Sequence, residues 1–375
     1  MRTEVNINTD MITWAIARAG HDLHEFLIDS PRISDWLEDK KKPTVKQLEK
    51  FSHKVHIPFG YLFLQNPPKE NLPIPFFRTG KHKEENVSLN VYDTILLMQR
   101  RQEWLKNYLK ENEFEALEYV GKFKSKSNPL DIVKDLRNTL GLREDWAKEF
   151  STWEKSLEFL TTKIEEAGII LSFNSIVENN TSRPIKVEEC RGFVLVDEMS
   201  PFMFINSADG KAAQMFTIVH ELAHIWTGES AGFDFRKLQP ADDPIELLCD
   251  KVAAEFLVPK ETFNIEWEIN SDIKKLSRYF KVSPIVIARR ALDLGKISKK
   301  DFFKFYNSYI EQVRFKKENQ SGGGDFYATA KKRISLTFAA HINQAVKTNK
   351  LLYRDANKLT GLKGDTYHKF LTKHF

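Results

Sequence analysis

The chain has 375 residues, 41% of them hydrophobic and 29% charged, with a net charge of +5. That balance excludes a disordered or fibrous chain and leaves room for two or three domains, each with its own core. Two cysteines, Cys190 and Cys249, exclude a disulfide framework and a cysteine zinc site. No N-terminal charged-then-apolar signal and no apolar run near the ~20 residues of a membrane span are present, which points to a cytoplasmic protein with no membrane partner. The 57 basic residues are interleaved with 52 acidic ones, so contact with nucleic acid is permitted but not demanded.

Residues 1–65 read as a domain of short helices. Ile12, Trp14, Ala15 and Ala19 mark the first, and Leu23, Phe26 and Leu27 the second. Ile33, Trp36 and Leu37 mark the third, and Val45 to Val55 the fourth, with Pro43-Thr44 as its start signal. The order, with WLEDKKKPT and IPFGYLF, resembles the Cro/repressor type of helix-turn-helix domain, which implies a third helix in the major groove. Arg32 and Ser34 are the candidate base contacts and Lys40, Lys41 and Lys42 the candidate phosphate contacts. Asp35 and Glu38 face a backbone unfavourably, so DNA stays an open partner and dimerisation or partner docking the alternative role.

Residues 66–90 are an extended linker, because Pro67, Pro68, Pro73 and Pro75 preclude a helix. Residues 91–265 form the next domain. Helices are predicted from Asn90 to Glu111, from Pro129 until Gly141 stops it, and from Thr152 to Glu166. Strands follow at 169–173, 190–196 and 201–206. Pro201, Phe202, Met203, Phe204 and Ile205 read as an edge strand on which a substrate peptide could add. Residues 266–320 hold a second helix-turn-helix shape around Lys281-Val282-Ser283, whose default role is scaffold packing. Ser321–Gly324 is a flexible break, and 321–375 reads as a hinge with a small basic helical tail. The fold class is α+β, mainly α, with a small mixed sheet.

The chemistry lies between Gln214 and Pro259. His220-Glu221-Leu222-Ala223-His224 is an H-E-x-x-H sequence on an apolar helical pattern of Met215, Ile218, Val219, Leu222 and Trp226. Histidines at i and i+4 share one face, so both imidazoles can reach one metal ion. Glu221 can take a proton from metal-bound water. A catalytic zinc needs a third protein ligand, and the next helical pattern offers Glu246 or Glu255. Nine residues apart on a helix they point to opposite faces, so only one can serve. Glu246 is favoured because Asp250, four residues on, can then accept the free ring N–H of a ligand histidine.

FTIVHELAHIWTG followed by ExxxDKVAAEFLVP resembles the ImmA/IrrE family of metallo-endopeptidases, whose second motif is E-x-x-A-N-x-F-A-A-x-L-L-x-P. Cys249-Asp250 stands at the family's Ala-Asn, and Val252 at its Phe. GFVLVDEMSPFMFINS and LPIPFFRTG resemble further elements of long members. The resemblance implies one zinc ion per chain, with other divalent ions compatible, held by His220, His224 and Glu246. It implies hydrolysis of a peptide bond in a specific protein, a helix-turn-helix repressor or an antitoxin-type regulator of a toxin–antitoxin, stress or mobile-element circuit. A non-catalytic DNA-binding regulator or antitoxin-like partner is the alternative, and a dimer is compatible with either.

Overall fold

A computed structural model describes residues 3–70, 76–77, 87–233, 243–318 and 326–375. Contacts divide the chain into two units, Met1–Pro73 with Glu84–Ile95, and Ile74–Lys83 with Leu96–Phe375. The chain is mainly helical with one small mixed sheet, the α+β class expected.

The first unit holds α1 (Thr9–Arg18), α2 (Leu23–Asp29), α3 (Arg32–Leu37) and α4 (Val45–Val55). Three of the four starts are capped by a side chain. The Asn8 side chain accepts from Asp10 N–H, Asp22 accepts from Glu25 N–H, and Thr44 with Gln47 forms a reciprocal capping box. Ile12, Ile16, Trp36, Leu48 and Phe51 close the core. Arg18 is tied by Glu70 at 2.7 Å and by the carbonyl of Val87 at 3.0 Å.

The second unit adds β1 (Phe76–Phe77) and most of α5 (Leu89–Glu111), in which the division falls. α6 (Pro129–Leu140) and α7 (Trp153–Glu166) precede β2 (Ile170–Asn174), a two-stranded hairpin of β3 (Ile176–Val177) and β4 (Asn180–Pro184), β5 (Gly192–Leu195) and β6 (Phe202–Asn206). Then come α8 (Lys211–Thr227), β7 (Ala231–Phe233), α9 (Pro244–Leu257), α10 (Lys260–Ile269), α11 (Ile273–Phe280), α12 (Pro284–Asp293) and α13 (Lys299–Glu318). α14 (Phe326–Ile334), α15 (Leu336–Lys347), α16 (Tyr353–Thr360) and α17 (Asp365–His374) end the chain.

The sheet order is β1-β7-β5-β6-β2. β6 runs parallel to β2, pairing Phe202 with Ile170, and antiparallel to β5, pairing Phe204 with Phe193. β7 lies antiparallel on the far side of β5, and β1 pairs with it in parallel. The proline-rich linker therefore lends one strand to the sheet.

One expectation changes here. Pro201, Phe202, Met203, Phe204 and Ile205 are not an edge: β6 is hydrogen-bonded on both sides, and these five residues are buried. With no free ladder groups, they cannot take up a peptide as an added strand. The C-terminal segment is helical and docked on the second unit. The fully buried Arg101 donates from Nε to Leu359 O at 2.8 Å, Ser172 Oγ donates to Arg333 O at 2.7 Å, and Asn179 Nδ2 donates to Gly361 O at 2.8 Å. The first two bonds satisfy buried polar groups that would otherwise destabilise the fold, and with the third, an exposed one, they fix the segment in place. The Ser321–Gly324 break lies outside the described residues.

Candidate metal centre

α8 is buried on all sides over most of its length because it crosses the core against the sheet: Met215, Ile218, Val219, Leu222 and Trp226 are all at 0% exposure, and so are His220, Glu221 and His224. Both ends are held. At its start the Gln214 side-chain amide donates to the carbonyls of Ser207 and Asp209, closing the turn from β6. At its end Gly228 takes the left-handed conformation, φ +81°, and its N–H caps His224 O at 3.0 Å. The carbonyls of Ile225 and Trp226 accept from the N–H groups of Gly121 and Phe123, at 2.9 Å each. Trp226 is stacked on Tyr119, and its indole N–H donates to Asp135 at 2.8 Å. Residues 117–127 thus clamp the last turn of the helix, where His224 sits.

α9 starts at Pro244 with Asp243 as its cap, accepting from Ile245 N–H at 2.8 Å, and packs along α8. That contact brings His220, His224 and Glu246 together, with their ligand-type atoms all within 4.8 Å of one another. His220 Nε2 lies 3.2 Å from Glu246 Oε2, His224 Nε2 lies 3.1 Å from Glu246 Oε1, and the two Nε2 atoms are 3.2 Å apart. Asp250 Oδ1 lies 3.1 Å from His220 Nδ1, on the other side of the ring.

The electrostatics follow from burial. Both oxygens of Glu221 are buried and have no hydrogen-bond partner among the described residues. Burial pushes its carboxyl up to about 8, with His220 opposing. Burial also disfavours charge on His220, but Asp250 and Glu246 outweigh it and push the imidazole up to about 10. Burial likewise works against the Glu246 carboxylate, which the two histidines nevertheless hold well below the usual range. Burial pushes the Cys249 thiol up, helped by the surrounding carboxylates, so Cys249 stays a neutral thiol rather than a ligand.

This donor set fits a divalent cation. With the Nδ1 proton of His220 given to Asp250, its Nε2 presents a lone pair toward a second imidazole and a carboxylate. Three such donors converging in a buried space are satisfied together by one ion.

Residues 165–292 match the family model of the IrrE N-terminal-like domain, Peptidase_M78. The matched span runs from the end of α7 through α8 and α9 to α12, so the residues that match the model include the whole cluster. Leu276, Phe280, Ile287 and Ala291 share the core that α8 crosses, which places α11 and α12 within it as packing elements. Residues 334–373 match a second family model, described as a domain of unknown function (DUF8813). No curated protein matches the chain.

Glu255, the rival for the third position, faces away from the cluster: it pairs with Arg290 and accepts from Lys260 N–H at 3.1 Å. Of the candidate DNA contacts in the first unit, Lys41 is paired with Asp35 at 2.8 Å, Lys40 with Glu38, and Ser34 donates to Glu38 at 3.1 Å. Arg32 and Lys42 are exposed. The acidic residues of α3 thus neutralise two of the three lysines from their own side. No described helix is long and apolar enough to cross a membrane.

Sequence reasoning missed β7 and the clamp at 117–127. Gly121 and Gly228 were its available signals, as glycines at turns beside an apolar helix.

Proposed function

We propose that the chain is a zinc-dependent endopeptidase acting on a specific protein. The observation that carries this reading is the buried His220–His224–Glu246 triangle, with a buried Glu221 carboxyl on the same helix that has no hydrogen-bond partner among the described residues. His220, His224 and Glu246 would hold the ion, and Asp250 would hold His220 in the tautomer that presents Nε2. The ion would supply an acidified water and polarise the scissile carbonyl. Glu221 is suited to accept a proton and return it to the leaving amine, because burial raises its basicity toward neutral pH. The resemblance to the ImmA/IrrE family supports a helix-turn-helix repressor or an antitoxin-type regulator as the substrate. The self-paired lysines of the first unit speak against the alternative of a DNA-binding regulator that reads through α3.

The test is metal content by elemental analysis of protein purified without chelator, together with cleavage of a proteome-derived peptide library read by mass spectrometry. One zinc per chain is expected in wild type and in Glu221→Gln, and none in Glu246→Ala. New peptide termini are expected with wild type and not with Glu221→Gln. A wild-type protein that takes up no metal after zinc is added would overturn the proposal.

A further inference from the structure

The positive charge of this protein is not spread along it. Residues 326–375 carry ten Lys and Arg against two Asp, a net +8, so with the whole chain at +5 everything before them is net −3. The first 73 residues, where a nucleic-acid contact was sought, hold ten basic and ten acidic side chains and are neutral. The segment with the charge is the one that matches a domain of unknown function.

Its architecture separates an inner from an outer surface. Arg333 turns inward to Asn179, and Phe338, Ile342, Tyr367 and Phe370 are buried. The other cations of α16, of α17 and of the turn joining them stay outside: Arg354, Lys358, Lys363 and Lys369 are all exposed. Arg354 and Lys358 lie one turn apart and share a single carboxylate, Asp355, at 3.5 and 3.6 Å, so the pair keeps a net positive charge. Among these cations stands an aromatic surface. The Tyr353 ring is 55% exposed yet held in place, edge-on against Tyr367 and 5.6 Å from the ring of His368, which is also exposed. That contact joins the start of α16 to α17, and an exposed cation follows each ring in sequence, Arg354 after Tyr353 and Lys369 after His368.

We propose that α16 and α17 bind single-stranded nucleic acid, with phosphates on Arg354, Lys358, Lys363 and Lys369 and an unpaired base on Tyr353. Cations that track a backbone beside a braced, exposed aromatic ring are what a single strand requires, since only its bases have free faces. An anionic bilayer fits less well. Surface-lying membrane helices expose one long apolar face, whereas α16 and α17 have eight and ten residues and turn Leu359 and Phe370 inward.

The experiment is fluorescence anisotropy of the full chain with a labelled single-stranded oligonucleotide, its duplex, and a competitor of phosphatidylserine vesicles. Single-strand binding at 50 mM salt is expected to weaken by about tenfold or more at 200 mM. Neutralising Arg354, Lys358, Lys363 and Lys369 to Gln together should weaken it at least tenfold. Tyr353→Ala should weaken it about five- to hundredfold, with little change for the duplex. Lys40→Gln/Lys41→Gln/Lys42→Gln should change nothing. All these positions are exposed, and an unchanged melting temperature checks that folding is intact. No binding at 50 mM salt, binding that survives the quadruple variant, loss in the N-terminal triple variant, or preferential capture by the vesicles would each overturn the proposal. So would tighter binding to the duplex with no effect of Tyr353→Ala.

Discussion

Gly228 and Gly121 meet backbone to backbone: a Cβ built on Gly228 would come within 3.0 Å of the Gly121 Cα. Gly228 also has φ +81°, a conformation that disfavours any side chain. Both constraints act one turn beyond His224. Gly228→Ala is expected to cost about 2–3 kcal/mol in urea unfolding and to weaken zinc binding. Gly295→Ala, at φ +69° with nothing near, should cost about 1 kcal/mol and leave zinc binding unchanged.

Asp250 touches no metal ion in the proposed site, yet it orients His220 from 3.1 Å. Asp250→Ala should lower zinc affinity about ten- to hundredfold in a chelator competition. Asp250→Asn keeps an oxygen that can accept from Nδ1 and should lose less than tenfold. Equal losses for both variants would count against an orienting role.

The two glutamates of α9 should separate cleanly. Glu246→Ala is expected to abolish zinc binding with elemental analysis as the readout. Glu255→Ala should keep a full complement, and it strands the largely buried Arg290 without its carboxylate. A loss of about 1–3 kcal/mol in stability is expected, at the low side of broken buried pairs because both partners keep some solvent.

Glu165 offers a pH test away from the metal. Burial raises its carboxyl above the ordinary range, against hydrogen bonds from Ser335 and Thr337. A raised carboxyl contributes most below its unfolded value of roughly 4.3, and that contribution is lost as pH rises through the folded value. Glu165→Gln keeps an acceptor for Thr337 and removes the ionisation. Its melting temperature should exceed that of wild type at pH 8, with the gap closing toward pH 4. A constant gap at all pH values would show that ionisation of Glu165 is not its source.

What the sequence determined by itself is what depends on near neighbours. The placing of His220 and His224 on one face, the opposite facing of Glu246 and Glu255, and the helix starts at Thr44, Pro129, Pro244 and Pro284 all follow from spacings within nine residues. Only the tertiary structure decided the rest. β6 is interior because β2, which starts 32 residues before it, pairs along the side that β5 leaves open, and strand neighbours are chosen by distant partners rather than by local pattern. The C-terminal helices are docked because a single buried guanidinium, Arg101, reaches carbonyls more than 200 residues away.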